Sequence, residues 1–347
     1  MNTKIWDVRS YIDDITTFPE IDDIKQIYHQ GGLIALPTET VYGLGANALD
    51  DNAVKKIYQA KGRPSDNPLI VHIHSLEQLT DFTTGITDEV YLLMKHFWPG
   101  PISFILPLKS GYLCSKVSGG LNSIAVRMPS HRIGRQILQL VDLPIAAPSA
   151  NLSGKPSPTQ FDHVYQDLNG RIDGIINGDQ SEEGLESTVL DCTSFPFKIA
   201  RPGSITQKMI EAVIPNSIAA TTNFDSERPI APGMKYKHYA PQTPIYLLRN
   251  FRHQPNYDKL WERKAFIVPA TLKSYVPSNA QYIELCDDEQ DIKTANHRLY
   301  EILHLIDRRD DIDEAYLYAF EDKDDTAAIM NRMLKATNQL WIDGDTL

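Results

Sequence analysis

The side chains able to do chemistry gather in three polar stretches. The first, LPTETVYGLGANA (36–48), crowds the hydroxyls of Thr38, Thr40 and Tyr42 beside Gly43 and Gly45 at the end of an apolar run. Loops that leave strand ends line the ligand crevice of an α/β sheet, and glycines there let a ligand reach the backbone. A polar strand-to-turn connection without a ligand has the same composition. The second, AKGRPSDNPL (60–69), puts Lys61 and Arg63 where a helical pattern meets Gly62 and Pro64, with Asn67 following. Two cations leaving a helix end can neutralise a polyphosphate, lysine as a point charge and arginine as a bidentate fork. They can equally be the cations that a helix C-terminus favours. The third, APSANLSGKPSPT (147–159), offers Ser149, Asn151, Ser153, Ser157 and Thr159 between prolines and a glycine. Such a loop can present hydroxyl, amide and backbone N–H donors to phosphate oxygens, or it can be a Ser/Pro-rich surface turn. Ser153-Gly154-Lys155 does not make a Walker phosphate loop, because the required preceding glycine is absent.

Single residues say less. His72 stands in a strand between Val71 and Ile73, where a histidine is commonly a satisfied core or edge residue. Arg127, between Val126 and Met128, is more informative, because an arginine inside an apolar strand needs an anionic partner, either a structural carboxylate or a substrate. Ser187-Thr188 opens a strand, and Arg201-Pro202-Gly203 reads as a turn. No Ser-His-Asp triad, HExxH site or zinc cluster is recognisable. The residues alone point to an α/β enzyme that handles a phosphorylated ligand.

The elements that must position these groups fill a chain of 347 residues, long enough for two domains. Hydrophobic residues at 42% and charged residues at 23% exclude disorder and low-complexity scaffolding. The net charge of −11 works against non-specific binding to nucleic acid or an anionic membrane. Cys114, Cys192 and Cys286 are scattered, without a CxxC pair, which gives no disulfide framework and makes a reducing compartment the default. The acidic N-terminus fits neither a signal nor a transit peptide, and no apolar run approaches the length of a membrane span. A soluble, cytoplasmic protein is expected.

Helical patterns run over 20–30, 51–61, 87–97 and 131–140; LIAL, LIVHI, ISFIL, SIAVRM, STVLD and FKIA read as strands. Some successive strands leave no room for a helix, so the sheet should be mixed. Residues 207–243 have the Pro/Gly-punctuated texture of a linker. From Pro244, alternating strands and helices predict a small doubly wound domain, which lacks GxGxxG and so does not indicate a dinucleotide.

PTETVYGLG, K-x-R followed by DNPLIVHI, WPGP, AVRMP, APSANLSG, ESTVLD and RPG stand in the order found in the YrdC-type threonylcarbamoyl-AMP synthases, which the chain resembles over residues 20–240. PGMKYKHYAP followed by a further α/β domain is similar to the long, two-domain form of that family. The resemblance implies a YrdC-like twisted mixed sheet with a deep positive cavity (1–206), a linker or lid (207–243) and a Rossmann-like C-terminal α/β domain (244–347). It implies ATP-dependent synthesis of L-threonylcarbamoyladenylate from L-threonine and bicarbonate or CO2, with release of pyrophosphate. The product would serve threonylcarbamoyladenosine modification of tRNA.

Carried over by position, Lys61, Arg63, Asn67, Ser123, Asn151, Thr159, Arg201 and Tyr239 should contact ATP or the adenylate. Thr40, His72, Arg127, Ser149 and Ser187 should surround L-threonine. Ser123 stands where many relatives carry threonine and keeps the hydroxyl. Lys61 and Arg63, with Mg2+ accompanying ATP, are the expected neutralisers of the leaving pyrophosphate, and no protein ligands of the metal are legible. In the linker, Lys235, Tyr236, Lys237, His238 and Tyr239 are expected to fold over the nucleotide. Expected partners are ATP, L-threonine, bicarbonate, separate tRNA threonylcarbamoyltransferase proteins downstream and weak contact with tRNA. Two rival readings are a hydrogenase-maturation-type carbamoyltransferase, whose upstream CxxC repeats this chain lacks, and a non-enzymatic RNA-binding module, which the net charge disfavours.

Overall fold

The computed structural model describes residues 1–220, 229–234, 238–253, 255 and 260–347. Lys235, Tyr236 and Lys237 of the expected lid lie outside the described residues. The chain divides into one unit of residues 1–153 and 157–236 and another of residues 154–156 and 237–347.

The first unit is built on the strands β1 (Lys4–Asp7), β2 (Ile34–Leu36), β3 (Gly43–Asn47), β4 (Ile70–His72), β5 (Ile102–Pro107), β6 (Ser123–Arg127), β7 (Ile145–Ala146), β8 (Gly174–Asn177), β9 (Thr188–Asp191) and β10 (Lys198–Arg201). They form one mixed sheet in the order β1-β8-β2-β3-β7-β4-β6-β5-β9-β10. The helices are α1 (Ile21–His29), α2 (Asp51–Lys61), α3 (Leu79–Phe82), α4 (Asp88–Phe97), α5 (Arg132–Val141), α6 (Phe161–Leu168) and α7 (Gln207–Val213).

Sequence dictates the helices that frame the site. In α2, Asp50 caps the N-terminus by accepting from the Asn52 and Ala53 amides; Val54 and Ile57 are buried, and Gly62 ends the helix in the left-handed region at φ 61°. α5 buries Ile133, Ile137, Leu138 and Val141, each worth about 1.5–3 kcal/mol of apolar transfer. Gly134 lets α5 press onto the loop after β2, since a Cβ there would lie 2.5 Å from the Pro37 carbonyl oxygen. In the central sheet, β4 pairs parallel with β6 and places His72 beside Arg127, while β5 pairs antiparallel and sets Ser103 opposite Arg127.

The segment expected to act as a linker begins as part of this unit. Ile218 bridges to Phe197, and Ala231, with no exposed surface, packs among Ile70, Ile105, Ala125 and Val189 on the sheet face. Gly43 and Gly45 also differ from expectation. They form β3, and a Cβ on Gly45 would stand 2.8 Å from the Tyr28 hydroxyl, so small size there serves internal packing.

The second unit carries β11 (Ile245–Arg249), β12 (Lys264–Val268), β13 (Gln281–Glu284), β14 (Glu314–Tyr318) and β15 (Trp341–Asp343), with α8 (Ile292–Asp307) and α9 (Ala327–Ala336). Its strands, in the order β13-β12-β14-β11-β15, pair in parallel throughout, the all-parallel sheet that the alternation of strands and helices predicts.

Candidate active site

The loop after β2 is pinned before any ligand is considered. Thr38 Oγ1 donates to the Val41 carbonyl at 2.6 Å, Ser181 Oγ donates to the Thr38 carbonyl at 2.9 Å, and the Tyr42 amide donates to Pro158 at 2.8 Å. This rigid loop carries Glu39 and Thr40 to the C-terminal end of β6. There Arg127 Nη1 donates to Thr40 Oγ1 at 2.7 Å, and Nη2 lies 2.6 Å from Glu39 Oε1. That second contact is an ion pair without hydrogen-bond alignment. Among the described residues, neither Arg127 Nε nor Nη2 finds a hydrogen-bond acceptor. Among the described residues Nε of this buried arginine therefore has no acceptor and Nη2 meets only the Glu39 carboxylate, so the edge they form can still receive a ligand carboxylate.

Two charge effects follow. Burial alone would raise the Glu39 pKa, but the Arg127 charge outweighs it and holds the carboxyl below its usual range. Burial, then the neighbouring Arg127, pushes His72 down to about 3, so the imidazole is neutral. Its Nδ1 lies 3.3 Å from the Ile70 carbonyl, which only accepts; Nδ1 therefore carries the proton and Nε2 presents a lone pair. On the far side of Arg127, Ser103 Oγ and Ser187 Oγ share a 2.8 Å hydrogen bond. Arg201 donates through Nε and Nη2 to the Ser187 carbonyl at 3.1 and 3.0 Å, and through Nη1 to Pro232 at 3.3 Å. Arg201 therefore ties β9 to the segment that lies over the sheet.

A second group meets at the end of α2. Lys61 is 2% exposed, and its ammonium donates to the Ser149 carbonyl and, at 2.5 Å, to that of Asn151. Burial and the charge of Arg63 push its pKa well below the usual lysine value. Arg63 Nη2 donates to Asn67 and Pro68 carbonyls at 3.4 and 3.1 Å. The same loop reaches back to β3 through a bridge between Gly43 and Ser149. Two buried side-chain oxygens, Asn67 Oδ1 and Thr159 Oγ1, have no hydrogen-bond partner among the described residues. Ser123 begins β6 and is partly exposed.

The structure thus links Thr40 and Arg127 directly, His72 through the β4–β6 pairing, and Ser187 and Arg201 through Ser103 beside Arg127. Lys61 joins Ser149 and Asn151. Tyr239 belongs to the second unit, 4% exposed, its ring tilted by 37° against that of Tyr300 at 5.5 Å, with the Arg332 guanidinium 5.9 Å from its ring centre. Sequence reasoning missed Glu39 and Ser103. The available signal was a charge or a hydroxyl inside otherwise apolar strand-and-turn sequence, PTETV and ISFIL.

Fold and site define an α/β protein with a buried cation set for a small carboxylate beside a polar, lysine-braced loop. The family described as Telomere recombination matches residues 26–203, and the threonylcarbamoyl-AMP synthase C-terminal domain matches residues 205–338. The threonylcarbamoyl-AMP synthase of Bacillus subtilis (strain 168) is 43% identical over 341 residues, covering 97% of this chain and 98% of that protein. That of Pyrococcus abyssi (strain GE5 / Orsay) is 42% identical over 317 residues, 89% and 91% of the two chains. The crystal structure of P. abyssi Sua5 complexed with L-threonine matches with a TM-score of 0.85 and 38% identity over 98% of this chain and 99% of that one. The chain belongs to the threonylcarbamoyl-AMP synthase family.

Proposed function

We propose that the first unit condenses L-threonine, a carboxyl carbon from bicarbonate or CO2, and ATP into L-threonylcarbamoyladenylate, releasing pyrophosphate. The observation that carries this reading is Arg127, a buried guanidinium on whose Nε/Nη2 edge Nε has no acceptor among the described residues and Nη2 meets Glu39. Thr40 is bonded to Nη1, His72 lies beside Arg127 on β4, and Ser103, bonded to Ser187, stands opposite it on β5. The edge takes the amino-acid carboxylate, and the surrounding hydroxyls and the His72 Nε2 lone pair take the threonine hydroxyl and amine. A site that bonds a hydroxyl discriminates strongly against an analogue lacking it.

The chemistry needs no protein nucleophile. The neutral threonine amine adds to CO2 with release of a proton, or to bicarbonate with loss of water, giving a carbamate. A carbamate oxygen then attacks the α-phosphorus, the bond from that phosphorus to the bridging oxygen breaks, and pyrophosphate leaves. This chain's part is positioning and charge. Lys61 fixes the Ser149–Asn151 loop, and Asn67, Ser123, Asn151, Thr159, Arg63 and Arg201 are the groups proposed to face the nucleotide. Among the described residues no three His, Cys, Asp or Glu side chains form a metal cage. Mg2+ would come with ATP, taking phosphate oxygens and water as ligands and lowering the charge on the leaving group. Transfer to tRNA is left to separate proteins. No helix of the described residues is long and apolar enough to cross a membrane, and three buried free cysteines suit a reducing cytoplasm.

The test is pyrophosphate release from ATP and bicarbonate with threonine, serine or valine, with the product weighed by mass spectrometry. Release should be strongest with threonine, weaker with serine and very small with valine. Equal turnover of valine and threonine would sink the assignment.

A further inference from the structure

Glu39 has no role in binding carboxylate or phosphate, yet it sits at the centre of the site. It is 4% exposed, its Oε1 lies 2.6 Å from Arg127 Nη2, and neither of its oxygens has a well-aligned hydrogen bond among the described residues, although the Glu39 and Ser130 backbone N–H groups are close enough to help hold its charge. A buried carboxylate is costly unless it is both paired and hydrogen-bonded. At Glu39 the pairing is present but well-aligned hydrogen bonds are not, so its oxygens keep acceptor capacity for a further donor, and a cationic donor would suit the charge as well.

An α-amino acid brings such a donor to the right place. Its ammonium is one carbon removed from its carboxylate. A carboxylate seated on the Nε/Nη2 edge of Arg127 puts that ammonium within reach of the oxygen already touching Nη2. Charge counting agrees. Arg127 and Glu39 cancel, so a zwitterion leaves the buried cluster neutral. A hydroxy acid of the same shape would leave two carboxylates facing one guanidinium, and His72, neutral beside them, offers no relief.

We infer that Glu39 is a specificity-determining residue that accepts the α-ammonium of the amino-acid substrate and excludes carboxylates lacking it. The inference rests on the threonine reading above. It concerns the first encounter with the substrate, before the nitrogen becomes a carbamate.

The experiment is calorimetric titration of L-threonine and of 3-hydroxybutyrate, its analogue without the amine, into the full-length wild type, Glu39→Gln and Glu39→Asp. Wild type should bind threonine and discriminate against 3-hydroxybutyrate. In Glu39→Gln the ratio of the two affinities should fall by about 10- to 100-fold, the size of one charge-assisted hydrogen bond. Glu39→Asp keeps the charge and should keep most of the ratio. If Glu39→Gln weakens both ligands by the same factor, Glu39 only orients Arg127 and the inference fails. If Glu39→Gln does not fold, Glu39→Asp decides, because loss of discrimination with the charge retained also overturns it. A wild type that does not bind threonine at all would instead remove the functional reading beneath.

Discussion

Glu39 and Arg127 meet 2.6 Å apart with side chains only 5% and 4% exposed, one on the loop after β2 and the other at the last residue of β6. The pair joins the loop after β2 to the end of β6. Deleting one member of a buried pair leaves an uncompensated charge, at a cost of about 3–5 kcal/mol. Arg127→Met should therefore lower unfolding free energy by that amount in urea titration. Arg127→Met combined with Glu39→Leu should be clearly less destabilised than Arg127→Met alone. Equal stability of the single and double variants would mean that the two charges do not interact.

Lys61 bears on the fold as well as on activity. A cation merely placed at a helix end contributes under about 1 kcal/mol. This ammonium instead donates to the Ser149 and Asn151 carbonyls inside the protein. Lys61→Ala should cost about 1–3 kcal/mol through those unpaired carbonyls and lower the ligand-free melting temperature by several degrees. It should abolish pyrophosphate release too. Melting unchanged from wild type would return Lys61 to the helix-end reading.

Acid should weaken the first unit in a way traceable to His72. Its folded pKa is about 3, below the unfolded value near 6.5, so above that value it contributes nothing to the pH dependence. As pH falls below 6.5, the unfolded chain binds a proton that the folded chain refuses. Stability then falls, by about 2 kcal/mol at pH 5 relative to pH 8. His131 is shifted down by burial with the same sign, opposed by Glu39. Urea unfolding between pH 8 and 5 should show a shallower loss for His72→Gln than for wild type. Parallel curves would show that the imidazole charges freely in the folded protein.

What the sequence made legible follows from how local each signal is. α2 could be read to its last residue because its cap, its apolar spacing and Gly62 lie within one short window. β6 was readable as an apolar run, and Arg127 drew attention by interrupting it. β3 was not, because GLGAN has no side-chain alternation; its glycines answer to Tyr28 and Ala147, partners remote in the chain. β7 has two residues and β1 buries only Trp6, too little pattern to register. The same limit applies to the site. Thr40 and Arg127 were identified by type, but Glu39 acquires meaning only when the sheet brings Arg127 to it. That Lys61 turns inward to the Ser149–Asn151 loop is likewise a tertiary fact.

Tyr239 separates a packing role from a ligand role. It is 4% exposed, lies against Tyr300 and Arg332, and holds φ at 63°, a region that costs a non-glycine residue about 1–2 kcal/mol. An aromatic residue held there against that cost is retained by what its ring touches. Tyr239→Ala keeps the unfavourable backbone and removes the ring, so it should destabilise the second unit by about 3–5 kcal/mol. Tyr239→Gly also loses the ring but relieves the backbone, so it should be less destabilised than the alanine variant by about 1 kcal/mol. Tyr239→Phe keeps the ring contacts and should melt closest to wild type. Fluorescence of Trp261, buried in the same unit, follows the transition. If Tyr239→Ala melts like wild type while product formation collapses, the ring serves the nucleotide and not the fold, and its packing against Tyr300 and Arg332 is not what retains it.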